Sequence, residues 1–238
     1  MVSGGNEKNI AIITARGGSK RIPRKNIKSF CGRPILVYSI EAAKQSGLFD
    51  EIMVSTDDEE IAEIAKQFGA CVPFLRSAEM SNDYAVTEDV LLEVLNIYHK
   101  SGYHFSNVCC LYPTAPFVTA EKLRQAYEHW IKSGADGLIP VVPFSYPPLR
   151  GLTVQNNRVS MKWPEYTFAR SQDMETFYHD CGQFYFIRTD TLMCEKNLIC
   201  KNLLPMTVPE LEVQDIDNET DWELAELKYQ LLQDKGIL

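Results

Sequence analysis

The sequence predicts an α/β protein built on a doubly wound, mostly parallel sheet. Two observations lead to this prediction. Short apolar runs typical of buried strands alternate, through the first 142 residues, with segments that carry helix-capping signals. Repeated strand–helix units of this kind require right-handed crossovers, which place the strands parallel in one sheet with helices on both faces. The length of 238 residues fits one large domain with an inserted segment.

The predicted elements follow one another closely as far as residue 142. Pro34 stands in the first turn of a predicted helix, and Gly47 and Gly69 follow the ends of two helices, as is typical of helix boundaries. Strands are predicted at residues 9–15, 51–55, 71–75, 107–112 and 137–142, and helices at 34–45, 58–68, 86–99 and 120–132. A strand at 183–187 and a closing helix at 221–232 complete the predicted domain.

Residues 143–174 interrupt this alternation. The segment is rich in Pro, Asn, Tyr and Arg, and residues 152–161 alternate as a β-hairpin would around Asn156-Asn157. We therefore divide the chain into residues 1–142, a projecting β arm at 143–174, and the remainder of the domain at 175–238.

The arm carries several aromatic side chains. They are Tyr146, Trp163, Tyr166 and Phe168. Because monomeric proteins seldom expose so many aromatic groups together, we expect the arm to pack on a second subunit and the protein to be a homodimer. The alternative is an excursion of the chain that folds locally on the surface.

The composition excludes several classes of protein. No segment approaches the ~20 apolar residues that cross a bilayer, and the first residues lack a secretion signal, so we expect a cytoplasmic protein without membrane insertion. A formal net charge of −8 argues against a nucleic acid polymer as partner. Seven scattered cysteines form neither a disulfide framework nor a CxxC zinc pattern, and we expect reduced thiols.

The first strand runs directly into a loop that contains Gly17-Gly18 and many cations. The cations are Arg16, Lys20, Arg21, Arg24, Lys25 and Lys28. Such a concentration in an acidic chain, at the carboxyl end of a strand, is typical of a polyphosphate site, where free backbone N–H groups add contacts. The loop has neither the G-x-x-x-x-G-K-[ST] nor the G-x-G-x-x-G spacing. The alternative is a solvated basic turn.

A pair of carboxylates, Asp215 and Asp217, precedes the closing helix. In an extended segment, residues two apart project to the same side, so both carboxylates can face one metal ion. Asn218 and the acids after it also form a cap-like arrangement. The alternative is therefore that the pair only favours the helix N-terminus through its dipole.

At the glycine loop the chain begins to resemble the CMP-nonulosonic acid synthetases, the cytidylyltransferases that activate sialic acids. The resemblance covers nearly the whole chain and rests on motifs in the family's order: Ala15-Arg16-Gly17-Gly18-Ser19-Lys20 with Lys25-Asn26, Val54-Ser55-Thr56-Asp57, Leu75-Arg76-Ser77-Ala78-Glu79, Leu111-Tyr112-Pro113-Thr114-Ala115-Pro116 and Asp215-Ile216-Asp217. The resemblance implies a Rossmann-like nucleotidyltransferase fold and a reaction between CTP and a nine-carbon 2-keto sugar acid that gives a CMP-sugar and pyrophosphate.

The resemblance also implies roles for single residues. Arg16 and Lys25 would neutralise the negative charge that builds on the α-phosphate and the departing pyrophosphate. Asp215 and Asp217 would hold Mg²⁺. The other expected nucleotide contacts are Ala15, Gly17, Gly18, Ser19, Asn26, Arg76 and Thr87. For two of these a structural role is the alternative: Arg76 could pair with Glu79, and Thr87 could cap or line a helix.

The sugar region departs from the sialic-type pattern. Tyr112 stands where Gln is usual, and His179-Asp180-Cys181-Gly182 replaces an Arg-Pro-Asn-Gly stretch. Within the family, three stretches are most similar to the pseudaminic acid branch: Trp163-Pro164-Glu165-Tyr166, Arg170-Ser171-Gln172-Asp173 and Tyr178-His179-Asp180-Cys181-Gly182-Gln183-Phe184-Tyr185. The expected sugar contacts are Tyr112, Thr114, Arg170, His179 and Gln183. Other sugar acids, a nucleotide-sugar glycosyltransferase and an inactive nucleotide-binding regulator remain as alternatives.

Overall fold

The computed structural model describes residues 7–82 and 84–238, and their fold is the expected α/β architecture. The strands are β1 (Asn9–Thr14), β2 (Ser29–Phe30), β3 (Arg33–Pro34), β4 (Glu51–Ser55), β5 (Asn107–Leu111), β6 (Gly137–Pro143), β7 (Leu152–Gln155), β8 (Arg158–Met161), β9 (Tyr178–Asp180), β10 (Phe184–Arg188) and β11 (Leu203–Thr207). The helices are α1 (Ile35–Ser46), α2 (Glu59–Gln67), α3 (Thr87–Lys100), α4 (Ala120–Ser133), α5 (Thr189–Glu195) and α6 (Glu219–Asp234).

The central sheet has the order β11-β6-β10-β5-β1-β4, and β9 also pairs with β6. The pairs β1–β4, β1–β5 and β11–β6 are parallel. Strand β10 is antiparallel to both of its neighbours, β5 and β6. The sheet is therefore mixed, because the chain returns from residues 143–174 into the middle of the sheet in the opposite direction.

Strand β1 shows why the sheet is covered on both faces. Its side chains alternate: Ala11 and Ile13 belong to the apolar cluster that contains α1, α2 and α4, whereas Ile10 and Ile12 belong to the cluster that contains α3 and α5. All four side chains are fully buried. A strand buried on both faces has no polar position, which is why it appears in the sequence as an unbroken apolar run.

One predicted strand needs correction. The strand predicted at 71–75 is reduced to one bridge between Met53 and Cys71, because Pro73 lacks the N–H that would continue the ladder. Strand β11 was not predicted. It contains Pro205 and lies at the edge of the sheet, where proline is tolerated.

The region 143–174 contains the expected hairpin. Strands β7 and β8 pair around Asn156 and Asn157, whose φ angles of 49° and 58° are those of a two-residue hairpin turn. The hairpin forms a two-stranded sheet apart from the central one. Of the arm aromatics, Phe168 is 97% and Tyr146 65% exposed.

A third apolar cluster fixes helix α6 beside the glycine loop. Phe30 packs edge-to-face against Trp222 and Tyr229, with ring centroids 5.6 Å and 5.5 Å away. Since Phe30 lies on the short hairpin of β2 and β3, shortly after the loop, this packing brings the N-terminus of α6 to the carboxyl end of β1.

Across the described ranges, no helix is long and apolar enough to cross a membrane. All seven cysteines lie within these ranges and are free thiols.

Candidate active site

A cavity of about 340 Å³ lies at the carboxyl ends of β1 and β5. Nine of the sequence-predicted site residues line it: Arg16, Ser19, Lys25, Asn26, Arg76, Thr87, Tyr112, Thr114 and Asp217. Lys20 and Arg21 line it as well. The wall is thus strongly cationic in a chain of net charge −8, which suits a polyanionic ligand.

The glycine loop is fixed against the turn that follows β4. The backbone N–H of Gly17 donates to Oδ1 of Asp57 at 2.8 Å. A methyl group at Gly17 would stand 2.9 Å from both Cβ and Oδ2 of Asp58, so the close approach requires glycine. Gly18, in contrast, has no described heavy atom within 4 Å of the position where its Cβ would be.

Arg24 adds a second link between the loop and α2. Its guanidinium forms ion pairs with Asp58, which also caps α2 by accepting from the Ile61 N–H, and with Glu60. Hydrogen bonding from Arg24 lowers the pKa of Asp58. Arg24 has a φ of 57°, a left-handed conformation that costs about 1–2 kcal/mol for a residue with a side chain. The ion pairs offset that cost and set the start of the next turn, Lys25–Ile27.

Asn26 and Lys25 then connect the loop to the rest of the site. Asn26 is buried and donates to the carbonyl of Arg16 at 2.8 Å. Lys25 donates from Nζ to the carbonyl of Ile216 at 2.7 Å, between the two aspartates. Burial lowers the pKa of Lys25, and the charges of Asp217 and Asp215 oppose that shift.

Asp215 and Asp217 are not the capping residues of α6. The side chain of Asn218 accepts from the N–H of Asp221, and the carboxylate of Asp221 accepts from the N–H groups of Asp217 and Asn218. Asp217 forms an ion pair with Arg21 at 2.7 Å. Burial, followed by the charge of Asp217, raises the pKa of Asp215. Neither carboxylate is therefore needed to cap α6, and an interaction with the helix dipole stays the alternative interpretation of the pair.

Arg76 is a buried cation in the cavity wall. It donates from Nε to the hydroxyl of Ser55 at 2.9 Å and from Nη2 to the carbonyl of the same residue at 2.5 Å. Burial lowers its pKa to about 10, and the charge of Asp57 opposes the shift. The structure thus pairs Arg76 with Ser55 and not with Glu79. Sequence reasoning gave no role to Ser55, because this bond joins positions 21 residues apart.

Tyr112 and Thr87 form the neutral part of the wall. Their hydroxyl oxygens are 3.5 Å apart, and Thr87 is the first residue of α3. The Tyr112 ring lies 5.6 Å from that of Tyr185, whose hydroxyl donates to Asp180. Burial raises the pKa of Tyr112, so the phenol stays protonated at neutral pH.

Three predicted sugar contacts lie away from the cavity lining. Arg170 is on the arm, exposed, and paired with Asp173 at 2.7 Å. His179 is on β9, where its ring packs 4.8 Å from that of Phe144. Gln183 is only 2% exposed and donates to the carbonyl of Glu212 at 2.6 Å. A side chain so buried has no surface for a sugar contact, so the sequence interpretation of Gln183 needs correction.

The chain is similar to known cytidylyltransferases. A family model described as cytidylyltransferase matches residues 10–204. The pseudaminic acid cytidylyltransferase of Campylobacter jejuni is 41% identical over 225 residues, which cover 94% of this chain and 97% of that protein. The CMP-N,N'-diacetyllegionaminic acid synthase of Legionella pneumophila is 33% identical over 234 residues, with coverages of 94% and 97%. The chain therefore belongs to the cytidylyltransferase family, in the group of the CMP-nonulosonic acid synthetases.

Solved structures show the same fold at low identity. CMP-2-keto-3-deoxy-manno-octonic acid synthetase, solved in complex with CTP, superposes with a TM-score of 0.68 at 19% identity and covers 96% of this chain and 100% of that one. The 4-diphosphocytidyl-2C-methyl-D-erythritol synthase of Anaerococcus prevotii gives 0.62 at 15% identity, with coverages of 94% and 99%. These likenesses confirm the Rossmann-like nucleotidyltransferase fold.

The two glycines of the loop provide a test of its packing. We expect Gly17→Ala to lower the free energy of unfolding by about 1–3 kcal/mol, because the added methyl group collides with Asp58. Gly18→Ala is the matched control and should change it by less than about 0.5 kcal/mol, since its methyl group meets open space. Urea denaturation followed by circular dichroism measures both. Equal losses in the two variants would contradict the described contact.

Proposed function

We propose that this cytidylyltransferase transfers CMP from CTP to pseudaminic acid, a nine-carbon 2-keto sugar acid. The main support for this choice of sugar is the 41% identity to a pseudaminic acid enzyme over 94% of the chain, compared with 33% identity to the legionaminic acid relative. In the reaction the sugar's C2 hydroxyl oxygen bonds to the α-phosphorus of CTP and loses its proton. The bond from that phosphorus to the bridging oxygen breaks, and pyrophosphate leaves.

The cationic wall supports this chemistry. Negative charge grows on the phosphate oxygens in the transition state, and fixed cations stabilise it most when they are oriented beforehand. Lys25 is held at Ile216, and Arg16 lies on a loop that Asn26 and Asp57 fix. We assign Arg16 and Lys25 to the reacting phosphates, with Ala15, Gly17, Gly18 and Ser19 as the adjoining backbone and hydroxyl contacts. Arg76 and Thr87 are assigned to the cytidine.

The aspartate pair fits a magnesium ion. Within the described residues, no group of three or more acidic, His or Cys side chains could hold a metal. Mg²⁺ needs no such group, because it is usually bound by one or two carboxylates together with substrate phosphates and water. Asp215 and Asp217 would hold it, and when bound it would neutralise phosphate charge and favour loss of the hydroxyl proton.

Substitution of one carboxylate separates this role from helix capping. We expect Asp217→Asn to lower turnover at saturating CTP about 100-fold, as loss of several kcal/mol of transition-state stabilisation implies. The free energy of unfolding should change little.

Substitution of the capping residue should have the opposite effects on turnover and on the free energy of unfolding. Asn218→Ala should lower the free energy of unfolding by about 1 kcal/mol and leave turnover nearly unchanged. Pyrophosphate release and urea denaturation measure the two quantities. Normal turnover of Asp217→Asn at saturating Mg²⁺ would refute the metal assignment.

For the sugar, Tyr112 and Thr114 are the proposed contacts within the cavity. A site built around one set of hydrogen-bonding groups rejects analogues that leave buried groups unpaired, commonly by a factor of about 10⁴. We expect kcat/KM for pseudaminic acid to exceed that for N-acetylneuraminic acid by a factor of this order, and Tyr112→Gln to reduce the ratio at least tenfold.

Tyr103→Gln is the control for that substitution, because Tyr103 lies outside the cavity lining and is 57% exposed. Equal kcat/KM values of the unmodified enzyme for the two sugars would refute the choice of sugar. They would leave the cytidylyltransferase activity standing.

We also propose that residues 143–174 form the contact between two subunits of a homodimer and bring Arg170 to the sugar site, where His179 on β9 is a further proposed contact. The support is the exposure of aromatic groups along the arm, with Phe168 at 97%. The free state of all seven thiols fits the reducing cytoplasm, where we place the reaction.

Subunit contact is testable by one substitution. Phe168→Asp should shift the protein from dimer to monomer at micromolar concentration and lower its turnover, because a charge cannot be buried there without a partner. Tyr103→Asp serves as the control outside the arm. Sedimentation velocity measures the assembly state. A monomeric, fully active unmodified protein would refute the role of the arm.

A further inference from the structure

Residues 208–217, here called the carboxylate segment, run from the end of β11 past Asp215 to Asp217, which lines the cavity. The segment contains no strand or α-helix, only the single turn Glu210–Glu212. Its own backbone hydrogen bonds are confined to that turn and its exit. Groups on other elements must therefore determine where the two carboxylates lie.

A buried ion pair is the first such group. Lys122, on α4, contacts Oε2 of Glu212 at 2.8 Å and also donates to the carbonyl of Phe117 at 2.8 Å. The side chains are only 9% and 16% exposed. Burying two charges carries a desolvation cost that well-packed apolar residues would avoid, so a pair of this kind is weak support for stability alone.

Gln183 is the second group. Its Nε2 donates to the carbonyl of Glu212 at 2.6 Å, while its buried Oε1 has no hydrogen-bonding partner in the described part of the chain. An unpaired buried oxygen is unfavourable, and an apolar side chain of similar length would remove it. The favourable contribution of the amide is thus its hydrogen bond to the carbonyl of Glu212.

Lys228 is the third group that contacts the carboxylate segment. It lies on α6 and donates to the carbonyl of Val213 at 2.7 Å. The segment is therefore held at the Glu212 side chain from α4, at the Glu212 carbonyl by Gln183 directly before β10, and at the Val213 carbonyl from α6. Val213 lies two residues before Asp215. Mg²⁺ demands near-ideal octahedral geometry, and so tolerates little displacement of its ligands.

We propose that Lys122, Glu212 and Gln183 are positioning residues that fix Asp215 and Asp217 for the metal. The inference rests on the proposed function, since it takes these aspartates as the ligands. Groups that orient metal ligands typically change metal affinity or activity by about 10–100-fold when they are substituted.

The ion pair is tested by replacing both charges together, which avoids leaving one buried and unpaired. Lys122→Met/Glu212→Gln should raise the Mg²⁺ concentration for half-maximal rate about tenfold, with kcat at saturating Mg²⁺ within about twofold. Lys132→Met/Glu128→Gln removes an exposed Lys–Glu pair on the same helix and is the matched control. An unchanged Mg²⁺ requirement would overturn the inference.

A second measurement does not depend on turnover. The melting temperature is recorded with CTP and EDTA, and again with CTP and Mg²⁺, in the absence of sugar. Gln183→Met should melt within a few degrees of the unmodified protein with EDTA, yet gain less than about half of its metal-dependent increase. A general loss of stability would lower both temperatures equally and would overturn the inference.

In the same assay, Asp217→Asn distinguishes a failure of the metal assignment from a failure of the positioning role. If it keeps the full metal-dependent increase, the metal site of the proposed function is wrong and the inference fails with it. If only Asp217→Asn loses the increase, the metal site stands and the positioning role is wrong.

Discussion

The hydrogen bond from Lys25 to the carbonyl of Ile216 joins the two halves of the site. It spans 2.7 Å between positions 191 residues apart in the chain. Lys25 reaches this carbonyl because Arg24, in its left-handed conformation, turns the chain after the glycine loop. Ile216 lies there because α6 packs through Trp222 on Phe30, just beyond that loop. The cationic and the acidic halves of the site therefore depend on the same apolar cluster.

The charges around the cavity are ordered by ion pairs and not simply concentrated there. Arg24 is paired with Asp58, Arg21 with Asp217, and Lys28 with Glu219. Exposed pairs of this type contribute little to stability, about 0–1 kcal/mol each. The Arg21–Asp217 pair lines the cavity and holds a flexible cationic side chain in one orientation beside a ligand that carries several negative charges. This arrangement lowers the entropy lost on binding.

The antiparallel strand β10 supports Tyr112 of the cavity wall through the ring of Tyr185. It returns beside β5 and pairs Tyr185 with Cys110 in register, which brings the Tyr185 ring to Tyr112 at the cavity. Gln183, directly before β10, donates to the Glu212 carbonyl of the carboxylate segment. Strand β10 and the residue before it therefore contact both Tyr112 and the segment that carries the aspartates.

The sequence by itself determined those features that depend only on short stretches of neighbouring residues. β1, β4, β5 and β6 appear as apolar runs because they are largely buried, and the glycine loop and Asp-x-Asp pair appear as short motifs with a recognisable order. It also located the hairpin, because Asn156-Asn157 favours the required turn. The substrate group followed from similarity to the family and not from the composition.

Only the tertiary structure decided how distant side chains meet. β11 and α5 escaped prediction, the first because of Pro205 at a sheet edge and the second because it has only seven residues. The bonds of Arg76 to Ser55, of Lys122 to Glu212 and of Gln183 to the Glu212 backbone join positions that no local pattern connects. Hydrophobic periodicity reports which side of an element is buried, but the partner of a buried polar group is set by the packing of whole elements.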